Sequence, residues 1–138
     1  MKKSALLLRI AGGLALFVCL GHTAGTFMPI PPEQTGVANA VTVMKATLVP
    51  MPVGKAQSYA DIFLGNNISV SLYLLVTALG FFFLSGKEGL AGAGRKLSVL
   101  LSLGMLGLCV ISALFFFPLP AVCTGLAGIL GIVAARFS

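Results

Sequence analysis

Four long apolar runs dominate the chain, and polar residues gather in the breaks between them. The first run covers residues 6–27 and is interrupted only by Arg9, His22, Thr23 and Thr26. Pro29, Pro31 and Pro32 end it, because proline cannot continue a helical hydrogen-bond ladder. The second run covers 59–84. Its first half is polar, with Asn66, Asn67, Ser69 and Ser71, and its second half is almost wholly apolar. The third and fourth runs, 97–117 and 120–137, are joined by a short link containing Pro118 and Pro120. About 20 apolar residues in a helix cross a hydrocarbon core of roughly 30 Å. The pattern therefore predicts an all-α protein: a four-helix transmembrane bundle, forming one integral membrane domain over residues 1–138.

Weaker patterns fill the breaks. Within 36–48, Val37, Val41, Met44 and Leu48 recur at helical spacing, and Asn39, Thr42 and Lys45 fall mostly to another side. This predicts a short amphipathic helix in the first loop, lying on the membrane or capping the bundle. Pro50 and Pro52 stop it, and Gly54 loosens the chain that follows. Ser58 followed by Asp61 matches a capping box with Asp in the Glu position. A helix over 59–84 would be about 39 Å long, so its first turns project beyond the core or the helix tilts. Lys87, Glu88, Arg95 and Lys96 among Gly86, Gly89, Gly92 and Gly94 predict a flexible surface turn.

Composition agrees with the pattern. The chain is 58% hydrophobic and 9% charged, against about 25% charged in a soluble domain. So few charges could not cover a water-soluble globule. With no Trp, and only Tyr59 and Tyr73, the interfacial aromatic belt is thin. The net charge of +6 comes from basic residues set singly or in pairs between apolar runs. That placement points to membrane lipids with anionic headgroups as partners, and away from nucleic acid. Lys2, Lys3, Arg9, Lys87, Arg95, Lys96 and Arg136 fall on one side of a four-span topology, against Lys45 and Lys55 on the other. Basic residues concentrate on the cytoplasmic side, so both termini are expected in the cytoplasm and the long first loop outside. Lys2, Lys3 and the apolar run after them resemble a signal peptide. Arg9 interrupts that run, no clean small-x-small cleavage site follows it before His22, and Leu16, Phe17 and Val18 before Cys19 suit a lipoprotein site poorly. An uncleaved first span is expected.

Lipid supplies little hydrophobic drive for helix association, so close packing falls to small residues. Ala121, Gly125, Gly128 and Ala135 form a stripe on the fourth run, with Gly131 near it. On the third, Ser98 and Ser102 are four apart and Gly104 and Gly107 three apart; on the first, Ala11, Ala15, Val18, His22 and Gly25 share a face. Such faces suit assembly with a second copy or another membrane protein.

One polar cluster emerges. His22, the only histidine, falls near the outer end of the first span, and Asp61, Asn66 and Asn67 fall near the outer end of the antiparallel second. Thr23, Thr26 and Ser69 join them at similar depth. Polar groups at membrane depth are costly unless paired, so they turn toward the protein interior or a cavity. In one reading His22 exchanges protons or binds a ligand, with Asp61 as charge partner and Asn66 or Asn67 orienting a small amphipathic molecule. In the other, which the sparse set of partners favours, these residues only join helices and Asp61 starts one. No cofactor is expected. Cys19, Cys109 and Cys123 lie inside apolar runs as small hydrophobes, without metal spacing. One His and one Asp make a poor metal set even with Met28 and Met44 nearby, and a lone His does not argue for haem. The Gly86–Gly94 loop lacks a phosphate-loop ending, and the spans lack an acidic ring, filter motif or charge relay.

The segment from Leu8 to Gly25, with Arg9, Gly12, Gly13, Gly21, His22 and Thr23, resembles a group of small four-helix bacterial inner-membrane proteins. Those proteins carry a Gly-His-Thr/Ser-x-Gly element at the outer end of the first helix. Ser58 to Gly65 is similar to the polar start of their second span, and Arg9 with the paired glycines is distantly similar to the DoxX-like superfamily. The resemblance implies the same topology in a bacterial inner membrane and matches His22 to the group's histidine; it implies no reaction. A tryptophan common in that group is absent here. The expectation is a structural or accessory membrane protein rather than an enzyme. The alternative is a binding protein or small enzyme for a lipid, quinone or similar molecule at an outer-leaflet cavity beside His22.

Overall fold

A computed structural model describes residues 3–86 and 89–137. Lys2, Lys87 and Glu88, counted above in the charge pattern and the second loop, lie outside the described residues. Five helices follow in order: α1 (Lys3–Phe27), α2 (Thr35–Ala46), α3 (Tyr59–Leu84), α4 (Ala93–Phe115) and α5 (Pro118–Arg136). Four of them, α1, α3, α4 and α5, are long and apolar enough to cross a membrane. The fifth, α2, is the short extra helix expected in the first loop.

The boundaries have local causes. α3 starts where expected, at a capping box: the Asp61 amide donates to Ser58 Oγ at 3.1 Å, and the Ser58 hydroxyl donates to Asp61 Oδ2 at 2.6 Å. Here the carboxylate meets the cap's hydroxyl. α5 starts two residues earlier than the apolar run suggested, because Pro118 occupies its first turn behind an extended Phe117. Proline suits that position, where the missing amide has no helical partner anyway. Phe115, Phe116 and Phe117 at this turn are all exposed. α4 starts four residues early, after Gly92, whose φ of 51° lies in the left-handed region. The glycines before it are tightly placed. A Cβ on Gly89 would run into the Leu84 backbone, and one on Gly94 would run into the Gly89 carbonyl. In the first loop, Leu48–Val49 (β1) and Gln57–Ser58 (β2) form an unexpected antiparallel pair, in register Leu48↔Ser58 and Val49↔Gln57. The Tyr59 amide continues it, donating to the Thr47 carbonyl at 2.9 Å. Gly54, with φ of 92°, provides the reversal between the strands.

The chain divides into two compact units, Met1–Leu20 with Leu72–Ser138, and Gly21–Ser71. The first contains the N-terminal part of α1, the C-terminal half of α3, and α4 packed against α5. Its interior is small and weakly polar. Ala11, Ala15, Ala78, Ser98, Ser102, Ala127 and Ala134 are fully buried, with Phe81, Leu8, Leu74 and Met105 as the large fillers. Ser98 Oγ donates across to the Gly131 carbonyl at 3.0 Å, and Ser102 Oγ donates within its own helix to the Ser98 carbonyl. Gly128 and Gly131 let α5 approach that closely. A Cβ on Gly128 would meet the Ser102 carbonyl at 2.8 Å, and one on Gly131 would strike the Ser102 hydroxyl. Gly12 plays the same part on α1, where a Cβ would lie 3.1 Å from the Ala78 carbonyl. The surface is the reverse, with Phe83, Leu100, Leu114, Val122 and Ile129 exposed. Small residues inside and large apolar ones outside suit a lipid solvent, because only close van der Waals contact rewards helix association there. With four spanning helices, the chain is a multi-pass membrane protein.

The second unit contains the end of α1, α2, the β pair and the polar start of α3. α2 has no buried residue; Val41 and Met44 are half-buried and the rest of the helix is exposed. α2 contacts β2 of the hairpin.

Candidate functional site

The end of α1 and the start of α3 bring part of the expected cluster together. His22 Nε2 lies 3.2 Å from the Asn67 backbone carbonyl. A carbonyl only accepts, so Nε2 is the donor in this contact. One position along, Thr23 Oγ1 donates to Ser71 Oγ at 3.0 Å. Thr26 turns back along α1, donating to the His22 carbonyl at 2.9 Å. His22, Thr23, Thr26, Asn67 and Ser71 are all half-buried. The bonds of His22 and Thr23 join the two helices, and that of Thr26 stays within α1.

The remaining expected residues face elsewhere. Asp61 stands six residues before Asn67, hence about 9 Å along the axis and roughly 120° around the helix. Its carboxylate is bonded to Ser58 and exposed. Asn66 is exposed, and Ser69 is exposed with its hydroxyl donated to the Gly65 carbonyl at 2.9 Å. Ser71, a polar residue of the second run outside the expected cluster, follows Asn67 by four positions and so shares its face.

Two further polar features belong to the first unit. Arg9 Nε donates to Ser85 Oγ at 3.5 Å, and Ser85 in turn donates to the Phe82 carbonyl at 2.7 Å. Sequence spacing gave no sign of this pair, which lies 76 residues apart in the chain. Thr77 is fully buried, and among the described residues its hydroxyl finds no partner. Two open concavities flank the turn from α3 to α4. One, of about 440 Å³, is lined by Gly92, Arg95, Lys96 and Val99. The other, of about 540 Å³, is apolar, with Phe83, Leu84, Ala93 and Leu97 on its walls. Among the described residues no three His, Cys, Asp or Glu side chains gather where a metal could sit.

No family model, curated protein or solved structure matches the chain.

Proposed function

We propose that this membrane protein is a structural or accessory component of a bacterial inner membrane, which works by assembling with a second copy of itself. The observation that carries this reading is the exposed face of α3 formed by Gly65, Asn66 and Ser69. A Cβ on Gly65 would meet nothing within 4 Å, unlike the filled positions at Gly128 and Gly131. Gly21 and Gly25 on α1 are equally open. Asn66 is the eighth residue of a 26-residue spanning helix, and an amide facing lipid there is costly. An Asn amide both donates and accepts, so it satisfies its own copy across a two-fold axis. The small neighbours allow the backbones to come close. Both termini are assigned to the cytoplasm on the charge distribution, and the Gly21-His22-Thr23 resemblance supports the bacterial membrane.

Sedimentation in matched-density detergent tests this directly. The protein should run as a dimer, and Asn66→Leu and Gly65→Leu should both shift it toward monomer. A monomeric parent protein at micelle concentrations well above the expected association range would refute the reading.

A second reading retains an amphipathic small molecule beside His22. It is supported by the half-exposure of His22 and Thr23, which leaves the ring accessible from outside. It requires His22→Ala to abolish a ligand-induced thermal shift while leaving the sedimentation unchanged.

A further inference from the structure

We infer that the turn between α4 and α5, residues 114–119, ends inside the acyl chains of the bilayer and takes lipid as its partner, not water or another protein segment. Three observations meet at this turn.

The first is its surface. No residue between Lys96 and Arg136 is charged, and no side chain over 114–119 carries a polar atom. Leu114, Phe115, Phe116 and Phe117 are 70%, 76%, 62% and 62% exposed, and the whole of 113–119 is exposed. Consecutive positions point to all sides of a helix axis, so this apolar surface encircles the tip. A docked helix covers one side of such a tip, whereas acyl chains cover all of it. The surface also continues into the exposed Val110 and Ile111 of α4 and Val122 of α5, on the flanks that face lipid.

The second is the backbone. A helix start leaves four amides without helical partners. α3 meets this in the manner of a helix that starts in water, with the side chains of Ser58 and Asp61. α5 starts behind Phe117 and makes no side-chain capping bond. Pro118 and Pro120 instead remove two of the four donors. Water would satisfy such amides, but in hydrocarbon each one left over is costly, so removing donors matters most in lipid. On the α4 side, the Phe116 amide is used, donating to the Ser112 carbonyl at 3.0 Å.

The third is reach. Arg95 and Lys96 stand at the start of α4 and Arg136 at the end of α5, all exposed. Basic groups settle at the phosphate layer of a membrane. From Lys96 to Phe115 the helix covers about 29 Å, and from Pro118 to Arg136 about 27 Å. A hydrocarbon core is about 30 Å thick, and any tilt shortens the reach across it. With the bases held at one surface, the turn stops on the acyl side of the opposite headgroups. This holds whichever surface is cytoplasmic, and for a monomer or a dimer.

The chain has no Trp, so Phe116→Trp introduces a single fluorescent reporter at an exposed position. The variant is reconstituted in phosphatidylcholine vesicles, with and without bromine on the acyl chains. Brominated lipid should remove most of the emission, and iodide in the water should remove almost none. Strong quenching by iodide would place the turn in water and overturn the inference. Resistance to both quenchers would mean that protein covers the turn, and would overturn it equally. If Phe116→Trp does not fold, Leu119→Trp reads the same layer. The unaltered protein gives a further check, with a phosphatidylcholine that carries a diazirine on its acyl chain. Crosslinks should include residues 114–119. Labelling of Leu100, Val122 and Ile129 with none at 114–119 would overturn the inference.

Discussion

Gly131 and Gly65 are the same residue type on spanning helices with opposite consequences. A methyl group on Gly131 would strike the Ser102 hydroxyl and lie 2.8 Å from the Phe81 ring, whereas on Gly65 it would meet nothing. Gly131→Ala is therefore expected to lower stability by about 1–3 kcal/mol through overpacking. Gly65→Ala should leave the fold unharmed, or stabilise it slightly by raising helix propensity. Denaturant titration followed by circular dichroism distinguishes the two, and equal effects would contradict the packing described for α4 and α5. Thr77 offers a further contrast. Its buried hydroxyl has no partner among the described residues, so it contributes a desolvation cost with no bond in return. Thr77→Val keeps the shape and removes that cost, so the same titration should show no loss and a gain of up to about 1 kcal/mol.

The start of α3 shows how much a short motif determines. Ser58 and Asp61 satisfy each other and the helix end, at 3.1 Å and 2.6 Å. Ser58→Ala should cost about 1 kcal/mol, and Ser58→Asn should recover most of it, since Asn is also a good cap. Hydrogen exchange of the first α3 amides would show the loss locally. This helix start was legible because capping depends on two side chains close in sequence. The long helices were legible for a related reason, that an apolar run of that length has few other stable conformations in lipid. The pairing of β1 with β2 was not legible, because backbone hydrogen bonds make it and only two residues contribute from each strand. The candidate site was partly legible. Depth alone placed His22 near Asn67 on an antiparallel neighbour, but depth does not tell which way a side chain faces. Asp61 and Ser69 share the polar half of α3 with Asn67, yet rotation about the helix turns them to other faces. Arg95 and Lys96 read only as part of a surface loop, whereas they stand in the first turn of α4, which starts after Gly92.

The distribution of size across the first unit, small inside and large outside, fits lipid on its exterior, and this makes the number of crossings testable. Three spanning helices, α3, α4 and α5, separate Lys55 from Arg136. An odd number of crossings puts those two positions on opposite sides of the membrane. The basic residues assign the sides: Lys3, Arg9, Arg95, Lys96 and Arg136 fall together, opposite Lys45 and Lys55, and that majority belongs in the cytoplasm. The three native cysteines must first be replaced by Ala; Cys19 and Cys123 are buried and Cys109 is half-buried, which makes small apolar replacements the mildest choice. In that background, Lys55→Cys should react with a membrane-impermeant maleimide in intact spheroplasts, and Arg136→Cys only after the membrane is opened. Reaction of both positions from outside would mean that one of α3, α4 or α5 does not cross. The reverse pattern would keep four crossings and invert the molecule.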